Sequence, residues 1–370
     1  MRFPEFTDEW KKEQLGDIAD FSKGAGISKE QLSEKGEPCI LYGELYTKYK
    51  SEVIYDIISK TDIDSTKSVR SQANDVIIPS SGETAEDIAT ARCVLKNNIL
   101  LGGDLNIIRL HKHSGSFMSY QLNGKRKYDI AKVAQGVSVV HLYAEHLKGV
   151  NTYNPCMEEQ EKIARLLALL DERIATQNKI IEDLKKLKSA ISERLFKSVK
   201  GSIVLLSDIC DIVKGKQING ENLSERGRYY VMNGGTEPSG YYDDYNVEAN
   251  TISISEGGNS CGYVQFNTFP FWSGGHCYSI QNVTGNVDNL YLYHYLKSNE
   301  DNIMKLRIGS GLPNIQKKDL AMFKIIVPTL EQQMTISTFL SSIERKAEIE
   351  RRIQNAIQKQ KLYLLQQMFI

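Results

Sequence analysis

The chain has 370 residues, 25% of them charged and 41% hydrophobic, with 46 basic side chains balanced by 46 acidic ones. That length supports two or three cores, and no run of eighteen apolar residues offers a membrane span. The neutral balance excludes a protein that grips polyanions over its whole surface, so any nucleic-acid contact must rest on a local patch or on partner subunits.

Residues 1–155 read as a first globular segment. It opens with Trp10 and the phrase QLGDIADFSKG, Gln14 to Gly24. Cys39 to Tyr46, Asp75 to Pro79, Cys93 to Leu101 and Asn106 to Leu110 read as strands, with turns at Gly43, at Ser80-Ser81-Gly82 and at Gly102-Gly103. Phe117 to Val133 has weak helical character around the basic run Lys125, Arg126, Lys127.

Residues 156–200 read as one long helix. After Pro155 the stretch holds no Gly or Pro as far as Phe196 and is rich in strong helix formers. Ile163, Leu166, Leu170, Ile180, Leu184, Leu187 and Ile191 form a heptad seam, interrupted by Arg173 and Gln177. A heptad seam predicts a partner helix. At 1.5 Å per residue, about forty residues make a rod on the order of 60 Å long.

Residues 201–327 repeat the first globular plan, and residues 328–370 repeat the rod. LLSDICDIVKG, Leu205 to Gly215, aligns with the opening phrase at an offset of 191, which drops to 176 at Ala73/Ala249 and to 172 at Gly102/Gly274. The rods align at 173 without a gap: Pro155 falls on Pro328, Gln160 on Gln333, Ile163 on Ile336, Leu166 on Phe339, Leu170 on Ile343 and Phe196 on Phe369. Ile353, Ile357 and Leu364 complete the second seam, with Lys346 and Glu350 at its polar positions. Shared start, stop and interruptions point to an internal duplication. The expected fold is α+β: two mixed α/β domains and two long helices packed as an antiparallel coiled coil, related by a pseudo-twofold.

Catalytic motifs are missing from the pattern. Gly124-Lys125-Arg126 and Gly215-Lys216-Gln217 are not P-loops, and neither a G-x-S-x-G elbow nor an H-E-x-x-H helix occurs. Asn154-Pro155-Cys156 partly matches the N-P-P-[FY] of adenine methyltransferases, but it stands where the rod begins and reads as a turn before a helix. Glu83, Glu86 and Asp87 read as a solvated loop. His111 and His113 lack further metal ligands nearby, so no metal is expected. The six cysteines form no C-x-x-C pair. With no signal-peptide pattern either, the expectation is a cytoplasmic chain with reduced thiols and no membrane partner.

The plan resembles the DNA-specificity (S) subunits of type I restriction–modification systems. The resemblance rests on Pro328, Glu331, Gln332 and Ile336 before a long heptad helix, and on the phrase Gly309 to Ile315. The first copies are EEQEKIA, Glu158 to Ala164, and the degenerate Gly136, Ser138, His141, Leu142. Leu15 to Ile18 and Leu206 to Ile209 supply a further matching phrase. It implies two target recognition domains, each reading half of a split target in double-stranded DNA. The rods would set the spacing and dock two methyltransferase (modification) subunits, with restriction/translocase subunits completing the complex. Such a subunit is no enzyme and has no cofactor of its own; its partners use S-adenosylmethionine, ATP and Mg2+. Two other readings stay open on the residues alone: a single-chain DNA modification enzyme, and a coiled-coil adaptor that binds no DNA.

Base readout needs donors and acceptors on loops beyond strands. In the first globule the candidates are Lys23, Tyr42, Ser80, Ser81 and Arg92, with Lys125, Arg126 and Lys127 for phosphates. In the second they are Lys214, Lys216, Gln217, Asn233, Asn259, His276 and Arg307. Tyr42 also reads as a half-buried strand tyrosine, and Lys125–Lys127 as a solvated helix face.

Overall fold

The computed structural model describes every residue except 1, 65, 67, 137, 310 and 370. Ser310, within the Gly309–Ile315 phrase, therefore lies outside the described residues. The chain divides into two compact units: Met1–Asn178 with Arg352–Ile370, and Lys179–Arg351.

The first unit carries, in chain order, β1 (Lys11–Gln14), β2 (Ala19–Lys23), β3 (Glu37–Ile40), β4 (Val53–Ile54), β5 (Asp75–Pro79), β6 (Arg92–Val94), β7 (Leu105–Leu110), α1 (Gly115–Asn123), β8 (Asn151–Asn154) and the start of α2 (Met157–Ser198). Its main sheet runs β2-β7-β5-β6-β4. β5 is buried along its whole length, as its run of β-branched residues requires of a central strand. β1 pairs with β8 and ties the N-terminus to the start of α2.

The second unit holds the rest of α2, then β9 (Ser202–Leu205), β10 (Asp211–Lys214), β11 (Tyr229–Met232), β12 (Thr251–Ser255), β13 (Val264–Asn267), β14 (Cys277–Gln281), α3 (Asn289–Ser298), β15 (Lys324–Val327) and the start of α4 (Leu330–Gln367). Its sheet runs β10-β14-β12-β13, and β9–β15 repeats the β1–β8 tie.

Each unit builds its core on parts of both long helices. In the first, Leu364 and Leu365 of α4, with Met368 and Phe369 just beyond it, join Ile163 and Leu167 of α2 around Trp10 and Phe117. The Phe117 and Phe369 rings lie 5.4 Å apart. In the second, Phe196 of α2 packs edge-on against Tyr291 and Tyr295 of α3, beside Leu340 of α4. Phe196 and Phe369 are the residues that the offset of 173 equates.

Inside the first unit the helices run in opposite senses. Asp171 meets Lys361; one heptad further along α2, Asn178 meets Gln354, one heptad back along α4. Lys361 sits between Asp171 and Glu52, all three nearly buried, and the Tyr120 hydroxyl donates to Asp171 at 2.7 Å. In the second unit Lys188 pairs with Glu344, and the Tyr293 hydroxyl donates to Glu344 at 3.0 Å. Adding or subtracting 173 converts one set into the other. Burial, then the neighbouring carboxylate, pushes both phenols well above the ordinary tyrosine pKa.

The seam is rotated from its expected position. Leu187, Phe339 and Ile353 are exposed, and Arg173 faces solvent. Ile163, Ile357 and Leu364 are buried as expected, and Leu167, Asp171, Gln177, Ile181, Ser192 and Phe196 are buried beside them. The apolar count alone placed the seam about one residue off, because the buried line contains a carboxylate, a hydroxyl and an amide.

Two predictions follow from burial. Lys361→Met leaves two carboxylates without their buried cation, and hydrogen exchange in α1 of the intact chain is expected to report a loss of about 3 kcal/mol. Lys188→Met, in the more exposed twin pair, is expected to cost about 1 kcal/mol or less. His294 of α3 is 1% exposed against Ser341, and burial lowers its pKa to about 4. Below its ordinary pKa of about 6.5 the unfolded chain takes up a proton that the folded chain refuses, so stability falls with pH between roughly 6.5 and 4. Protection of α3 is expected to drop by about 2 kcal/mol from pH 7 to pH 5, and His294→Gln to abolish that drop.

Candidate nucleic-acid interface

Each main sheet has two chemically distinct ends. In the first unit β2 and β7 are antiparallel, with Ala19 opposite Leu110 and Lys23 opposite Asn106. The Ala19 end leads to α1 and the helices. There Gln160 accepts from the Ser114 amide at 3.0 Å and donates to the Pro155 carbonyl at 2.9 Å. In the second unit Gln333 accepts from the Asp288 amide at 2.8 Å and donates to the Pro328 carbonyl at 2.9 Å. Both glutamines are buried. His113 also contacts Gln160, at 2.9 Å, and Glu13, at 3.5 Å; burial lowers its pKa. His111 lies 3.3 Å from Asp20. Among the described residues no group of three His, Cys, Asp or Glu could hold a metal.

The opposite end of the first sheet gathers the loop candidates. Lys23 is exposed at the end of β2, and Gly24 donates to the Leu105 carbonyl. Gly24 lies so close to Gly102 that a Cβ there would stand 1.9 Å from the Gly102 oxygen, which explains a glycine at this turn. Ser80 is buried, donating its amide to Asp104, while Ser81 is half-buried. Tyr42 is exposed and borders a cavity lined by Gly26, Lys29, Lys48 and Gly103.

Two sets of candidates stand away from these loops. Arg92 is buried, and its guanidinium donates to the carbonyls of Tyr49, Ala91 and Leu45. Burial, opposed by Glu52 and Asp171, holds its pKa below the ordinary arginine value. It is a structural cation. Lys125, Arg126 and Lys127 follow α1 on the side of the long helices: Gly124 packs against the Leu365 carbonyl, Arg126 pairs with Asp129 and lies 5.1 Å over the Tyr153 ring. The fold does not bring them to the loops of Lys23 and Ser81.

The second unit collects its candidates more tightly. Lys214 opposes Tyr278 at the end of β10; Gly215 donates to the Cys277 carbonyl and Lys216 to that of Ser273. Asn233 accepts from the His276 amide at 3.1 Å, and Gln217 lies against Gly275. Lys216, Gln217, Asn259 and Arg307 are exposed. At the centre stands Glu256, which sequence reasoning passed over because its counterpart is Ser80. It is 8% exposed, receives Lys214 at 2.6 Å and the Tyr278 hydroxyl at 3.3 Å, and has His276 at 3.7 Å. Burial first, then Glu256, pushes the Tyr278 phenol up to about 12. A glutamate directly after a β-branched strand, with lysine one strand away, is the signal that could have marked it.

Comparison with known proteins gives the family and the fold. The sequence profile of the Type I restriction modification DNA specificity domain matches residues 7–186 and again 201–359. The chain belongs to this family and carries two copies of its domain. A stretch of 145 residues is 32% identical to a chain of Mycoplasma pneumoniae named as a candidate type I specificity subunit, covering 39% of this chain and 38% of that one. The type I restriction enzyme MjaVIII specificity subunit of Methanocaldococcus jannaschii is 24% identical over 98% of this chain and 91% of its own. In fold, the chain is similar to the type I restriction–modification S subunit of M. genitalium, with a TM-score of 0.72 at 19% identity over 100% of this chain and 97% of that one. No helix among the described residues is long and apolar enough to cross a membrane.

If Arg92 serves the fold alone, Arg92→Met removes its hydrogen bonds to the Tyr49 and Leu45 carbonyls, while the Ala91 carbonyl keeps the Asn123 amide. The expected loss is about 2 kcal/mol of protection in β6 by hydrogen exchange, with duplex affinity of the folded chain unchanged.

Proposed function

We propose that this chain is the sequence-specific DNA-recognition subunit of a type I restriction–modification complex. Each globular part reads one half of a bipartite target. The observation that carries this reading is the repeated convergence of polar loop residues on the same sheet end in two diverged units: Lys23 and Ser81 in one; Lys216, Gln217, Asn233 and His276 in the other. Such a set suits base edges in a groove, where amides and imidazole discriminate and lysines hold phosphates.

In this reading the long helices act as an antiparallel coiled coil that sets the spacer between half-sites, and their exposed faces receive two methyltransferase subunits. The chain itself catalyses nothing. Methyl transfer from S-adenosylmethionine and ATP- and Mg2+-dependent translocation belong to the partner subunits, and the complex works in the cytoplasm. The near-neutral charge of the chain fits a subunit whose partners supply much of the phosphate clamp.

Exchange of residues 1–150 for those of a homologue, followed by methylation with the cognate modification subunit, tests the assignment. One half-site is expected to change; an unchanged target would sink it. A heptad inserted into α2 is expected to alter the spacer and leave both half-sites as they were, as mapped methylated adenines would report. Lys23→Gln and Lys216→Gln are expected to lower the salt dependence of duplex binding by about one phosphate each, and Lys125→Gln to leave it unchanged.

A further inference from the structure

Both units carry the same short loop, built in the same way, with an apolar residue at its tip. In the first, Gln135 and His141 exchange both backbone hydrogen bonds, at 2.9 and 2.7 Å. In the second, Ile308 and Asn314 do so at 2.8 and 3.0 Å. Gly136 and Gly309 open the loops with φ of +126° and +100°, a conformation that L side chains rarely adopt. Beyond each loop the chain is anchored at one position: Leu142 donates to the Ser80 carbonyl at 3.0 Å, and Ile315 to the Glu256 carbonyl at 2.8 Å. The carbonyls of these two anchors are held in turn, by the Asn106 amide at 2.9 Å and by the Tyr278 hydroxyl at 3.0 Å. Leu142 and Ile315 are fully buried.

The tips are the reverse. Val139 is 54% exposed and Leu312 is 85% exposed, although each loop is closed by paired backbone bonds and followed by a buried anchor. A single exposed apolar side chain is ordinary, but this one recurs at positions equated by the offset of 173, on loops closed by the same bonds. Its surroundings indicate what meets it. From Asn302 to Lys318 the chain contains Lys305, Arg307, Lys317 and Lys318 and no acidic residue. All four cations are exposed. The anchor also places the loop at the sheet end that presents Lys214 and His276. An apolar tip between cationic stretches is complementary to a duplex, whose phosphates flank an apolar base stack.

We propose that Leu312, with Val139 as its weaker counterpart, enters a DNA groove as a wedge against the base stack while Arg307 and the neighbouring lysines hold the flanking phosphates. This rests on the DNA-recognition reading above and adds to it a named point of apolar contact. Leu312 is exposed enough for its replacement to leave folding intact.

The test uses the full chain assembled with its modification subunit and a duplex carrying the cognate target. Leu312→Asn is expected to weaken duplex binding about tenfold with an unchanged salt slope, since no phosphate contact is lost. Leu312→Met is expected to stay within about twofold, and assembly with the modification subunit to be unaffected in both. Unchanged affinity in Leu312→Asn overturns the wedge. So does a loss of subunit assembly, which would make the loop a protein contact. If the unaltered complex fails to bind duplex at all, the recognition reading falls first; if it binds and the variant matches it, only the wedge falls.

Discussion

The contact on which the rest depends is a lysine of one long helix set against a carboxylate of the other, under a tyrosine hydroxyl. In the first unit Lys361 sits between Asp171 and Glu52 beneath Tyr120; in the second Lys188 meets Glu344 beneath Tyr293. An apolar seam tolerates a slip of one heptad with little loss. A buried cation does not, because the slip would strand charges in a low-dielectric interior. The tyrosine adds a second constraint: it comes from the helix that follows the central strands, so the same carboxylate that sets the helix register also orients the sheet. Packing supplies the bulk of the stability, and this polar node selects one packing from several of similar apolar content.

With that end of each sheet locked, the other end is free to vary. The helix end is closed by a glutamine that satisfies a backbone amide and a proline carbonyl in the same way in both units. The far end is made of turns whose backbone bonds close locally, leaving side chains such as Lys23, Lys216 and Gln217 directed at solvent. Backbone bonds carry the frame and side chains carry the differences. That division lets two copies of one domain diverge in what they present without losing their fold.

The duplication and both long helices were legible in the residues, because helix formers without Gly or Pro and a constant offset leave a strong periodic signal. Two central strands were legible as well, Asp75 to Pro79 and Asn106 to Leu110, whereas Cys93 to Leu101 breaks into two short strands and Glu44–Thr47 is helical. What escaped was polar. The seam was placed on Leu187 and Phe339, which face solvent, because a search for apolar repeats cannot see that Asp171 and Gln177 are buried. Arg92 reads from the sequence as a donor on a loop beyond a strand; in the structure it opens a short buried strand, and its guanidinium donates to three carbonyls. Lys125 to Lys127 form a genuine basic run, but only the tertiary course of the chain shows that it turns toward Leu365 and Tyr153. Gln160 and Gln333 were matched by the offset, yet their clamp on the helix start requires coordinates.

The central strands show how far the two copies can drift while the frame stays. Asn106 and Tyr278 occupy equivalent places in β7 and β14, and each donates to the carbonyl of the residue that anchors the neighbouring loop. One does so with a short amide, the other with a long phenol. The longer side chain is accommodated because its hydroxyl also reaches Glu256, where the first unit has Ser80. A change from serine to glutamate at the anchor thus travels with a change from asparagine to tyrosine beneath it and with a new ion pair to Lys214, whose counterpart Lys23 is a lysine already. The backbone bond from the anchor survives all three, at 3.0 Å in one unit and 2.8 Å in the other. Substitution at the reading end is therefore constrained in small coupled sets rather than residue by residue. Altering Glu256 by itself would leave Lys214 without its acceptor, while the Tyr278 hydroxyl keeps the Ile315 carbonyl.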